Sequence, residues 1–166
     1  MARTRKIVLI AAAAGLLTGG LAATAGPATA APADFPTSIQ VFSDDTNLDE
    51  YYGNDVLTRH PAHNLQVWRL NKVGTTPTGS GIYTIRGSYY GKCLTAKGLS
   101  QRIVQQPCNS QSLSQRWILD TALDQTTVAS QKYPDEVIQA HGQDRPVTLE
   151  NKGRNRAAQE WTLYTK

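Results

Sequence analysis

Residues Ser112 to Asp120 read SLSQRWILD, and the Gln115-Arg116-Trp117 inside them decides how the rest of the chain is read. The chain has three tryptophans, and the other two have the same setting, Gln66-Val67-Trp68 and Gln159-Glu160-Trp161. Trp68, Trp117 and Trp161 lie 49 and 44 residues apart. Upstream of each motif is a β-prone run: Ser38–Phe42 (SIQVF), Ile82–Ile85 (IYTI) and Thr127–Ser130 (TVAS). Their markers Ile39, Ile82 and Thr127 are 43 and 45 apart. A second β-prone stretch falls before each Gln-x-Trp: Asp55–Thr58, Ile103–Gln105 and Val147–Leu149. The loop Gly74–Gly81 (GTTPTGSG) absorbs the longer first interval. A period of about 45 residues reads as repeated architecture, with units at about 38–73, 80–120 and 125–166.

Runs of apolar residues at helical spacing are missing downstream of residue 30, so the expected class is all-β. Ahead of the repeats, Met1–Lys6 is basic and Ile7–Ala23 is apolar and uncharged. Ala28-Thr29-Ala30 then offers the small residues a signal peptidase reads, so Met1–Ala30 is expected to be a secretory signal peptide. That makes the protein secreted and extracellular, with no membrane span once the signal is removed. Ala31–Thr37 (APADFPT) reads as a short tether, and 38–166 as one domain. Losing Arg3, Arg5 and Lys6 takes the formal charge from +4 to +1. Nucleic-acid binding needs a concentrated basic surface and is not expected. In an oxidising compartment Cys93 and Cys108 are expected to pair. Closing so short a loop is worth roughly 3 kcal/mol.

The middle unit carries a fuller pattern: Thr84-Ile85-Arg86, Gly91-Lys92-Cys93-Leu94-Thr95, Cys108-Asn109 and Gln115-Arg116-Trp117. This order resembles the ricin B-type lectins, whose fold is a β-trefoil of three Gln-x-Trp repeats. The resemblance spans nearly all of 38–166, and the first and third units lack the paired cysteines. It implies that each Trp enters a core shared between repeats. It also implies that Gln66, Gln115 and Gln159 are structural, their amides bonding a nearby turn, since an unpartnered buried amide costs about 1–3 kcal/mol.

The resemblance implies shallow pockets for galactose-type or other neutral glycans, one possible per repeat. Each needs a carboxylate or amide just after the Cys-Leu pair, an aromatic face and a third hydroxyl partner. In the middle unit the first of these is Thr95, and Gln105-Gln106-Pro107 replace the aromatic. In the third unit Gln139 stands where an acid is expected, Glu150 falls near the aromatic slot, and Asn155 and Gln159 remain as hydroxyl partners. In the first unit Asp49 or Asp55, with Tyr51 or Tyr52 and Asn64, form the best acid and aromatic grouping. The alternative for Tyr51-Tyr52-Gly53 and Tyr89-Tyr90-Gly91 is a pair of turns, each with one tyrosine packed and one exposed.

Other constellations carry less. His60, His63 and His141 do not make a zinc set by spacing, and no cofactor is expected. Asp44-Asp45, Asp49-Glu50 and Asp135-Glu136 read as solvated turns rather than a glycosidase pair, which needs carboxyls about 5–10 Å apart. Neither a nucleophile elbow nor a phosphate loop is present, so an enzyme is not expected. Two readings result: a lectin-like glycan binder, or a trefoil that binds a protein partner such as a protease through a rigid loop. Candidate loops for the latter are Lys97–Arg102, Gly74–Gly81 and Lys152–Arg156, the last read as a soluble hairpin tip.

Overall fold

Short alternating runs fold here as strands. In Gly81–Gly87 (GIYTIRG) Tyr83 and Ile85 point inward while Ile82, Thr84 and Arg86 point out, the period of two that a half-buried strand requires. The computed structural model describes residues 34–61 and 64–166. Among them are β1 (Phe35–Val41), β2 (Asn47–Glu50), β3 (Val56–Arg59), β4 (Trp68–Thr75), β5 (Gly81–Gly87), β6 (Cys93–Thr95) and β7 (Val104–Gln106). Then come β8 (Arg116–Leu119), β9 (Ala129–Ser130), β10 (Glu136–Gln139), β11 (Arg145–Pro146), β12 (Thr148–Asn151) and β13 (Trp161–Thr165).

Antiparallel pairing runs β13–β1–β4–β5–β8–β9, and Thr126 and Trp161 exchange backbone hydrogen bonds of 2.9 and 2.8 Å that close the ring into a barrel. Closure removes the open edges that would otherwise invite aggregation. Hairpins β2–β3, β6–β7 and β10–β12 cap the barrel. They touch in cyclic fashion: Asp55 bridges Val104, Arg102 bridges Thr148, and β11 pairs β3. Val56, Ile103 and Val147, one from each unit, are buried there.

The three tryptophans are fully buried, as the resemblance implies, and all belong to one hydrophobic core. Each indole N–H donates to a backbone carbonyl within its own repeat: Trp68 to Leu48 (2.9 Å), Trp117 to Leu94 (3.0 Å) and Trp161 to Ile138 (3.2 Å). A buried indole thereby keeps its one donor satisfied. These bonds also fix the register of the repeats, aligning Leu48, Leu94 and Ile138.

The strands depart from the expectations in two places. The strand of the first unit begins at Phe35, so residues 35–37 of the expected tether pair with Leu70, Arg69 and Trp68. Pro36 has no N–H to give to the ladder, while its carbonyl accepts from Lys166 N at 3.0 Å. The expected loop 74–81 is shorter, since β4 and β5 reach Thr75 and Gly81 and bulge between Lys72 and Gly74. Gln66 and Gln115 each end a one-turn 3-10 helix and Gln159 follows a third, so each glutamine sits at the turn that leads into its tryptophan strand. The expected signal segment lies outside the described residues. No helix among the described residues is long and apolar enough to cross a membrane.

Candidate functional site

The register aligns Asp49, Thr95 and Gln139, each following the residue whose carbonyl holds a tryptophan. Each meets the Gln-x-Trp amide of its own repeat. Gln66 Nε2 donates to Asp49 Oδ2 (3.2 Å), Gln115 Nε2 to Thr95 Oγ1 (3.1 Å) and Gln159 Nε2 to Gln139 Oε1 (3.0 Å). The same nitrogen reaches a turn carbonyl each time: His60 (2.8 Å), Pro107 (3.0 Å) and Asn151 (2.9 Å). The amide oxygens accept from Asn47 Nδ2, Asn109 N and Gly153 N. The glutamines are thus engaged on both sides of the amide, which is the structural role expected of them.

The shared turn carbonyl also fixes the aromatic slot just before the second cysteine. It holds Gln106 in the middle unit and, by the alignment of His60, Pro107 and Asn151, Arg59 and Glu150 in the others. None is aromatic. In the third unit Gln139 and Gln159 meet, while Asn155 is exposed at the start of the 3-10 turn Arg156–Ala158 and makes no capping side-chain bond. The 152–157 turn is exposed, as expected of a hairpin tip. In the middle unit the Cys93–Cys108 disulfide is formed.

The first unit differs. Of Asp49 and Asp55, the structure puts Asp49 at the carboxylate position. Asp55 sits beyond the β2–β3 turn, where its carbonyl accepts from Gln105 Nε2 at 3.2 Å, so it belongs to the contact with the second unit. Asn64 is exposed at the start of a 3-10 turn, with no bond to Asp49 among those seen. Tyr51 and Tyr52 pack edge to face, 5.3 Å between ring centres, and Arg59 stands 5.6 Å from the Tyr51 ring centre. Arg59 also pairs with Asp144 at 3.1 Å. Tyr52 is 70% exposed and Tyr51 half-buried, so the packed-and-exposed turn reading describes the geometry of the pair.

The adjacent acids Asp49 and Glu50 are not solvated, contrary to the expectation: each is 0% exposed. Burying a charge requires partners, and both have them. Glu50 Oε1 accepts from Tyr89 N (2.9 Å) and Oε2 from Tyr90 N (3.1 Å). Burial pushes the Glu50 carboxyl above its usual range, the Tyr89 and Tyr90 peptide N–H groups pull it down, and Asp49 pushes it up again. A Cβ on Gly87 would overlap the Glu50 carboxylate. By register, Gly87, Ser130 and Val41 are equivalent, each opposite a tryptophan. The equivalents of Glu50 are Ala96 and Ala140. Two units thus combine alanine with a side-chain-bearing residue, and the first combines glutamate with glycine. Sequence reasoning missed Glu50 because its partners lie 39 and 40 residues away.

Glu50 thereby holds the Tyr89–Tyr90 turn beside the Tyr51–Tyr52 turn. Lys92 Nζ ties the two together, donating to Gly53 O (3.1 Å) and Asn54 Oδ1 (2.9 Å). Tyr89 and Tyr90 form a second edge-to-face pair at 4.9 Å, and Tyr89 is 63% exposed. The Tyr90 hydroxyl is raised, first by burial and then by Tyr89 and Tyr52. Among the described residues no group of three His, Cys, Asp or Glu could hold a metal; His63 lies outside them.

The threefold tryptophan register, the Gln amide bonds and the closed barrel agree with a family profile described as ricin-type beta-trefoil lectin domain-like, which matches residues 64–155, just over half the chain. The chain belongs to this family. The fold of the ricin-type trefoil is shared with a designed threefold-symmetric protein, ThreeFoil, at TM-score 0.66 and 17% identity over 77% of this chain and 96% of that one. It is shared with the Macrolepiota procera ricin B-like lectin, solved with lactose, at 0.62 and 18% over 77% and 93%. It is also shared with the Polyporus squamosus lectin, solved with a Neu5Acα2-6Galβ1-4GlcNAc epitope, at 0.63 and 18% over 80% of this chain and 49% of that one. No curated protein sequence matches this ricin-type trefoil.

Proposed function

We propose that the protein is a non-catalytic, secreted carbohydrate-binding module that takes galactose-type or other neutral glycans at its first repeat. Membership of a lectin-like family supports carbohydrate binding, and the lactose complex of a similar fold makes galactose-terminated glycans the first to try. The observation that carries the choice of site is that only the first unit keeps an acid at the shared position. Asp49 is bonded there to Gln66 and is followed two residues later by paired tyrosines. Two adjacent buried carboxylates cost stability, and such departures from good packing practice concentrate at functional sites. Asp49 has no exposed surface, so a sugar meets the tyrosine faces first and reaches the acid only as the turn gives way. Such a shallow site binds weakly alone and gains from multivalent targets. The signal-like Met1–Ala30 and the disulfide support export.

A glycan array run with the protein and its Tyr51→Ala, Tyr52→Ala double variant tests this. Binding to neutral glycans, lost in the variant, is the expected result. Silence of the wild type across the array sinks it. One observation favours a second reading, a protein-binding trefoil. The loop around Leu99 is exposed yet pinned, with Ser100 N bonded to Leu149 O at 2.7 Å and Gln101 N to Gly98 O at 3.0 Å. A preorganised protruding loop is what protease inhibition requires, so a protease panel follows a silent array.

A further inference from the structure

Arg69 on β4 and Arg86 on β5 are direct cross-strand partners. Opposed residues of a strand pair project from the same face, and like charges placed so are destabilising. Arg116 on β8, opposite Thr84, extends the basic face by one strand, and its Nη2 donates to Ser110 O at 2.9 Å. One acid answers the first two: Asp34 Oδ2 lies 3.7 Å from Arg69 Nη1 and 3.5 Å from Arg86 Nη2. Both contacts are long for a guanidinium and a carboxylate, whose paired geometry brings nitrogen and oxygen to about 2.7–2.9 Å. The two arginine side chains remain 42% and 48% exposed and Asp34 34%.

The same side chains border a cleft of about 380 Å³, with Asn71, Thr84, Asn109 and Ser110 supplying amide and hydroxyl groups. That volume lies within the range of about 300–1,000 Å³ usual for small-molecule sites. Asp34 is the only acid among the described residues that line it. The fold does not require the arginines. The equivalent cleft at the next junction is about 560 Å³ and has Ile118 and Ala129 where this one has Arg69 and Arg86.

We propose that this cleft binds an acidic saccharide. The Arg69–Arg86 pair takes the anionic group, a uronic-acid carboxylate or a sulfate ester, and the amides and hydroxyls take the ring hydroxyls. Asp34, from the segment leading into β1, holds the place of that anion and is displaced by it. The planar guanidinium suits both anions. This site is separate from the neutral-glycan site of the first repeat. A protein that binds no neutral glycan can still pass the test below, and one that does can fail it.

The test is calorimetric titration of the purified protein with glucuronic acid and with galactose 6-sulfate, using galactose and free sulfate as controls. At least one acidic sugar is expected to bind, more tightly than either control, and to weaken as salt rises. The two acidic arms say which anion is preferred. Arg86→Gln is expected to weaken binding by about tenfold, the scale of a lost charge-assisted hydrogen bond. Asp34→Asn is expected to tighten it, because the internal competitor is gone; a purely structural Asp34 would leave affinity unchanged or lower. Thermal melts of both variants control for folding. No binding of either acidic sugar to the Asp34→Asn protein overturns the proposal. So does equal binding of free sulfate, or tighter binding of an acidic peptide than of both sugars.

Discussion

The first and second repeats share one scaffold and are held shut by different chemistry. Both bury a tryptophan whose indole bonds the carbonyl of a leucine, Leu48 or Leu94, and both clasp a turn with a glutamine amide. The second repeat then fastens β6 to that turn with the Cys93–Cys108 disulfide. In the first, Asn47 stands at the position of Cys93 and bonds Gln66 Oε1 at 3.2 Å. Next to it come Asp49 and Glu50, where the second repeat has Thr95 and Ala96. The second repeat is stabilised by a constraint on the unfolded chain, whereas the first carries desolvated charge and depends on polar partners, one set of them in its neighbour. Core positions tolerate little change because packing is dense. These repeats nonetheless diverge at a buried position, Glu50 against Ala96 and Ala140, where the glutamate has polar partners of its own.

The largest expected effect tests whether the shared part is shared. Trp68→Ala and Trp117→Ala should each cost about 3–5 kcal/mol, read by thermal or denaturant unfolding. A near-neutral Trp68→Ala would break the comparison, leaving the first repeat outside the common core. Next in size is the Glu50–Gly87 arrangement. Gly87→Ala should cost about 1–3 kcal/mol, because the Cβ meets a carboxylate pinned by Tyr89 and Tyr90. Adding Glu50→Ala recreates the alanine-with-side-chain combination of the other repeats. The double variant should therefore be more stable than the two single losses predict; strict additivity would show that the two residues do not restrain each other.

The smallest effect contrasts a partnered acid with an unpartnered one. Glu136, half-buried in β10, has its Oε2 without a hydrogen-bond partner. Burial raises its carboxyl above the usual range, and Glu150 raises it further. A raised folded value means the native state holds the proton longer than the unfolded chain does. The stability it contributes is complete below the unfolded value and is lost as pH rises through the folded one. Glu136→Gln should thus give a small rise in Tm at neutral pH that vanishes in acid below the unfolded value. A rise that persists in acid would assign the effect to packing instead.

The tryptophan spacing carried the fold because a buried indole dominates a small core and must recur wherever the repeat recurs. The acid position was legible only in part. Asp49 and Asp55 are both plausible by residue type, and the choice came from which residue follows the carbonyl that Trp68 holds. The expectation that Asp49-Glu50 is solvated failed because a pair of acids in sequence carries no sign of distant N–H donors.

By itself the sequence determined the number of repeats, the three tryptophans of the core and the place of the disulfide, since these rest on residue type and local spacing. Only the tertiary structure decided what lies between repeats: Glu50 against Gly87, the tyrosine turns side by side, and Asp34 between Arg69 and Arg86. These contacts join residues from 35 to 52 positions apart. Closure of the barrel sets their register, and no local preference of the chain encodes it.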